Sequence, residues 1–157
     1  MQIEVDIAIA RSPHEVFEAI VDPQQMSRYF ISRSSGRPEP GATLTWTWED
    51  VGADGMIKVL DVRADRRFAF RWPAEGDGTE VSIELLDEGN GRTAVMVREG
   101  PFEVSEAGTQ EYGAKTFGWA HFLMCLKAWV EYGIDLRKGS ITRRHLQQIK
   151  GAAPARR

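Results

Sequence analysis

Cysteine occurs once in the 157 residues, at Cys125, so no internal disulfide is available and the fold must rest on its core. That scarcity fits a reducing compartment, and a cytoplasmic location is the expectation. Histidine occurs three times, at His14, His121 and His145, with no second ligand at metal-binding spacing. A zinc site therefore has no support, and no metal or other cofactor is called for. No apolar run approaches the roughly 20 residues that cross a bilayer, so no membrane association is expected. Met1 to Ala10 lacks the basic region followed by an apolar block that marks a signal peptide. No glycine-rich loop joins a strand to a helix; Gly89-Asn90-Gly91 reads as a hairpin turn, which leaves nucleotide binding without a motif.

Bases are few along the body of the chain, and acids are missing from its end. Residues 1–136 carry 13 bases against 23 acids, whereas from Arg137 onward seven Lys or Arg occur with no acid. An acidic body argues against non-specific nucleic-acid binding. The basic stretch 140–157, with Arg143, Arg144, Lys150, Arg156 and Arg157, reads first as a solvated, frayed terminus. Its alternatives are a docking segment for an acidic protein partner and a homodimer interface. The remainder, residues 1–139, has the length of one domain with a single core. Its expected class is globular, from 42% hydrophobic and 27% charged residues in the whole chain.

Ile3, Val5, Ile7 and Ile9 alternate with polar or small residues, the period of a strand with one buried face. Ser12-Pro13 followed by Glu15 is a helix entry, with Val16, Phe17 and Ile20 as its inward stripe. A second short helix follows Asp22-Pro23 and carries Met26, Tyr29 and Phe30, and Ser32 to Gly41 reads as a loop. Strands follow. Leu44, Trp46 and Trp48 alternate with threonines, Phe68, Phe70 and Trp72 flank Ala69 and Arg71, and Val81, Ile83 and Leu85 flank Ser82 and Glu84. Met56 to Arg63 is apolar on both phases, and Val95 and Val97 mark the last strand. The terminal helix is expected from Ser105 or Gln110 to about Arg137. Its stripe is Trp119, Phe122, Leu123, Leu126, Val130 and Ile134, widened by Cys125, Trp129, Tyr132 and Leu136. The fold class is α+β: a curved antiparallel sheet of about six strands wrapped around a long terminal helix, with two short helices after strand one.

Three segments carry a resemblance. They are Val16 to Pro23 followed by Tyr29-Phe30, Gly55 through Val59 to the run Phe68 to Trp72, and Gly118-Trp119 with Leu123, Leu126 and Glu131-Tyr132-Gly133. Over about residues 2–134 the chain resembles the carboxy-terminal-domain-like activators of the ninety-kilodalton heat-shock protein's ATPase. That family lies in the START-like, or SRPBCC, superfamily. The resemblance implies a helix-grip fold with a hydrophobic cavity between sheet and long helix. It leaves function open, because the superfamily includes lipid and hormone carriers, polyketide cyclases, oxygenase subunits and a co-chaperone domain. Many relatives carry a His near the end of the last strand, where this chain reads Arg98-Glu99-Gly100. The co-chaperone's additional amino-terminal domain is expected to be absent.

The residues expected around the cavity are Trp46, Trp48, Phe70, Trp72, Trp119 and Phe122, with Arg98 as a polar contact. Glu99, Arg71 and Tyr112 are further polar candidates. The same rings are large enough to fill the space, and both readings stand at this level. Cys125 reads as core and His121 as a helix-surface residue. Binding of a hydrophobic or aromatic small molecule is the leading function. The alternatives are a cyclase-like or hydrolase-like enzyme, for which no catalytic residue is apparent, and a co-chaperone or stress-related interaction domain.

Overall fold

The computed structural model describes residues 1–152, with side chains to residue 148. Arg156 and Arg157, and the side chain of Lys150, lie outside the described residues. Strand β1 (Ile3–Ile9) runs into α1 (Pro13–Val21), whose entry is a capping box: Ser12 accepts from the Glu15 amide and the Glu15 carboxylate returns to the Ser12 amide. Asp22 closes α1 and caps α2 (Pro23–Met26) by accepting from the Gln24 amide.

The meander comprises β2 (Arg33–Ser34), β3 (Thr43–Trp48), β4 (Ala53–Arg63), β5 (Arg67–Trp72), β6 (Thr79–Gly89) and β7 (Arg92–Gly100). These join β1 in one antiparallel sheet of order β1-β7-β6-β5-β4-β3-β2. Strand β2 sits in the stretch expected to be loop. Two residues are too few to show an alternation, and its pairing comes from Arg33 opposite Thr47 and Ser34 opposite Trp46. A bulge in β4 between Val59 and Asp61 explains why Met56 to Arg63 looks apolar on both phases. Ile57 and Val59 are buried, Leu60 is left exposed, and Val62 returns to the inner face.

Helix α3 (Glu106–Tyr132) begins at Ser105, whose hydroxyl accepts from the Gly108 amide, and ends at Gly133 in the left-handed conformation with φ 66°. The expected end near Arg137 is therefore too late. Ile134 and Leu136 fall beyond the helix, and with Tyr132 they are exposed rather than part of the inward stripe. The basic tail, expected to be a frayed terminus, instead contains α4 (Arg143–Ala152). It lays Leu146 against the core and His145 beside Phe117, while Arg143 and Arg144 stay exposed.

The core lies between the concave face of the sheet and the second half of α3. Trp119, Phe122, Leu123, Cys125 and Leu126 are buried there, while no side chain between Glu106 and Gly118 is. The far end of α3 is tied to β1. Lys127 donates to the Ala8 carbonyl at 2.9 Å, and the Glu131 carboxylate accepts from the Ala10 amide at 2.6 Å.

Candidate functional site

Alternation on β3 and β5 brings Trp46, Trp48, Phe70 and Trp72 to the concave face, and the turns of α3 bring Trp119 and Phe122 down onto them. The six rings form one continuous cluster. The ring centre of Trp46 lies 5.1 Å from Phe70, 6.1 Å from Trp48 and 6.1 Å from Trp72. Phe122 lies 5.4 Å from Trp119, which reaches Phe70 at 6.4 Å and Trp72 at 6.3 Å. Trp48 and Trp72 stack within 5° of parallel across β4. Gly55 makes room for that pair, since a Cβ there would sit 3.1 Å from the Trp72 Nε1 and 3.3 Å from the Trp48 ring.

A seventh ring, Phe30, belongs to the same cluster at 4.8 Å from Phe122 and 5.5 Å from Trp46. Its place was visible in sequence only as half of the Tyr29-Phe30 pair. Tyr29 is buried and donates to the Ala19 carbonyl at 2.8 Å. Trp72 is the only one of the six expected rings that is half-buried rather than buried.

Two polar groups stand inside this apolar sheath. Trp46 is 1% exposed, and its indole N–H has no hydrogen-bond partner among the described residues. An unsatisfied buried donor costs about 1–3 kcal/mol. Glu99 is also 1% exposed, at the end of β7 between Ile3 of β1 and Val81 of β6. Its Oε2 accepts from the Trp119 indole at 2.6 Å, and its Oε1 accepts from Thr79 at 2.5 Å and from the Lys115 ammonium at 2.7 Å. The carboxylate thus ties β6, β7 and α3 together, with every bond to it charge-assisted.

Arg98 stands apart from the cluster. It is on the convex face, where it bonds Glu4 and Glu84 at 3.0 Å each, and Arg67 continues the row from Glu84 to Asp61. Arg71 is exposed on that face and donates to the Gly76 carbonyl. Tyr112 meets Phe102 edge-on at 5.9 Å near the start of α3. Cys125 is fully buried, and burial pushes its thiol up to about 11. His121 lies 3.7 Å from that sulfur and 3.0 Å from the Ser140 hydroxyl. Burial, then the charge of Arg137, holds it below the ordinary imidazole range.

Two shallow grooves lie beside α2, and the first touches the ring cluster at Phe30. One of about 160 Å³ runs along Ser27 to Ser32 with Asp50 and Arg137; the other, of about 490 Å³, is lined by Asp22, Gln25, Arg28, Trp129 and Asp135. Among the described residues no three His, Cys, Asp or Glu converge as metal ligands, and no helix is long and apolar enough to cross a membrane.

Residues 10–131 match the family described as Activator of Hsp90 ATPase homolog 1-like protein. Among solved structures, protein SSP2350 from Staphylococcus saprophyticus is 29% identical, with a TM-score of 0.78 over 87% of this chain and 96% of that one. DynU16, from the dynemicin biosynthetic locus, is 24% identical with a TM-score of 0.75, over 85% of this chain and 48% of its own. The Aha1 dimer from Colwellia psychrerythraea is 22% identical with a TM-score of 0.72, over 85% of this chain and 98% of that one. The last two likenesses establish the fold alone. No curated protein matches the sequence.

Proposed function

The chain belongs to the Activator of Hsp90 ATPase homolog 1-like family, a helix-grip fold, and from that premise we propose that it binds an aromatic small molecule between the sheet and α3. In this reading residues 1–139 are the binding unit, and Trp46, Trp48, Phe70, Trp72, Trp119 and Phe122 are its contact surface. Arg98, on the convex face, takes no part. The observation that carries the reading is the Trp46 indole N–H, buried in the middle of the ring cluster with no acceptor among the described residues. A core built only for stability gains nothing from leaving that donor empty, and a phenylalanine there would avoid the cost. A ligand bearing a carbonyl or ether oxygen supplies the acceptor, and its ring takes up the apolar contacts at about 25 cal/mol per Å² of surface removed from water.

Because the rings meet one another in the free protein, the ligand enters by displacing one. Trp72, half-buried where the other five expected rings are buried, has the least to lose. The test is a titration with 2-acetonaphthone, following tryptophan fluorescence and the indole N–H resonances. The Trp46 N–H signal is expected to move downfield, and Trp46→Phe to weaken binding about fivefold to tenfold, the equivalent of one hydrogen bond. Indole resonances that stay fixed up to millimolar ketone would refute the reading.

A further inference from the structure

The second polar group of the sheath, Glu99, points to the charge of the ligand. Resting on the binding reading above, we propose that the molecule bound between sheet and α3 is an aromatic amine that also carries the acceptor oxygen for Trp46, and that its ammonium group takes the place of Lys115 on Glu99.

The carboxylate is held from the inside by two neutral donors, the Thr79 hydroxyl and the Trp119 indole N–H. Neither compensates its charge. The compensating charge comes from outside, from a Lys115 side chain that is 33% exposed. A buried carboxylate stripped of its cation is strongly destabilised, so a neutral or anionic ligand has no means of displacing Lys115. Exchange of one ammonium for another leaves the charge balance unchanged.

The surroundings already accommodate a cation. The Lys115 Nζ lies 5.4 Å from the centre of the Phe102 ring, within cation–π range, and Trp119 is bonded to the same carboxylate with Trp72 6.3 Å beyond it. An ammonium seated on Glu99 thus places an attached aromatic ring against Trp119 and Trp72.

Lys115 is also free to leave. Glu111, one turn earlier on α3, already lies 3.4 Å from its ammonium and receives it when Glu99 is taken. The turns that carry it contain Gly113 and Gly118, and a Cβ at either would meet nothing within 4 Å. Packing does not require these glycines. Each loosens the helix where Lys115 must swing aside. The acidic excess of the body adds a long-range attraction for cations.

The test uses the whole chain at pH 7 and three probes sharing one ring system: 2-(aminoacetyl)naphthalene, which is the ketone with an added ammonium, 2-acetonaphthone and 2-naphthoate. Affinities come from calorimetry. The amine is expected to bind at least tenfold more tightly than the ketone, with the naphthoate weakest. Lys115→Met removes the internal competitor while keeping Glu99, Thr79 and Trp119, and is expected to raise amine affinity severalfold with the ketone unchanged. Glu99→Gln is expected to abolish the preference and leave ketone binding in place. A ketone bound as tightly as the amine, or an amine-to-ketone ratio unmoved by Lys115→Met, overturns the assignment while the binding reading stands. Failure of all three probes overturns both. Because Lys115→Met strips the buried Glu99 of its cation, its melting temperature is expected to fall and to be restored by saturating amine but not by ketone, a readout that does not depend on Glu99→Gln folding.

Discussion

At the scale of single residues, Glu131 shows a carboxylate whose burial is outweighed by its bonds. Its side chain is 6% exposed, which by itself would raise its pKa. The Ala10 amide and the Lys127 ammonium more than reverse that and hold it below the usual carboxylate range. A pKa lowered by folding adds stability above its unfolded value, lost as pH falls through the folded one. The melting temperature is therefore expected to drop on acidification below about pH 4. Glu131→Gln should lower stability at pH 7 by about 1–3 kcal/mol and flatten that acid limb, as read by thermal denaturation across pH 2–7. Arg98 gives the opposite expectation. Arg98→Met should lower stability by about 1 kcal/mol or less and leave probe affinity within about twofold, since paired surface charges contribute little. A large loss of affinity would return Arg98 to the binding surface. The distinction between Arg98 and Glu99 was legible in the sequence. Period two puts Glu99 in phase with buried Val95 and Val97, and Arg98 in phase with Ala94 and Met96. What alternation does not reveal is that Thr79, Lys115 and Trp119, distant in sequence, converge on the same carboxylate.

At the scale of elements, the two halves of α3 differ in what holds them. Gly108 is fixed by its surroundings, because a Cβ there would lie 2.2 Å from the Glu103 carbonyl oxygen. Gly113 and Gly118 have open space around them. Each replacement by Ala at the latter two positions is expected to raise stability by about 0.8–1 kcal/mol through helix propensity alone, whereas Gly108→Ala should destabilise. Denaturant titration distinguishes these outcomes. If the loose turns serve entry, Gly113→Ala with Gly118→Ala also slows probe association while the protein becomes more stable. The strands and α1 were legible because alternation and the Ser12–Glu15 box are local signals. Elements that depend on a partner were not. Strand β2 exists only as a pairing with β3, and the bulge at Leu60 is set by the register of β4 on β5. The apolar residues Ile134 and Leu136 extend the stripe of α3 in sequence, but Gly133 ends the helix first; that glycine was the available stop signal.

At the scale of the whole molecule, the question posed by the sequence, whether the rings line a pocket or fill one, has a physical answer in the free protein. They meet ring to ring at 4.8–6.4 Å, so the space is occupied until something moves. The sheet is the part least able to move. Its convex face is laced by ion pairs running from Glu4 through Arg98, Glu84 and Arg67 to Asp61, across five strands. The second half of α3 is equally committed, with five buried side chains and the Glu131 tie to β1. That leaves the first half of α3, where no side chain is buried, as the element of lowest local stability beside the rings. Binding that orders this half should appear in backbone hydrogen exchange. In the free protein, amides of residues 110–118 are expected to exchange about tenfold or more faster than those of 119–132. Saturating 2-(aminoacetyl)naphthalene should slow the first group and leave the second unchanged. Equal protection of the two halves before addition would make α3 a rigid cover, and entry would then have to pass through the Trp48–Trp72 stack alone.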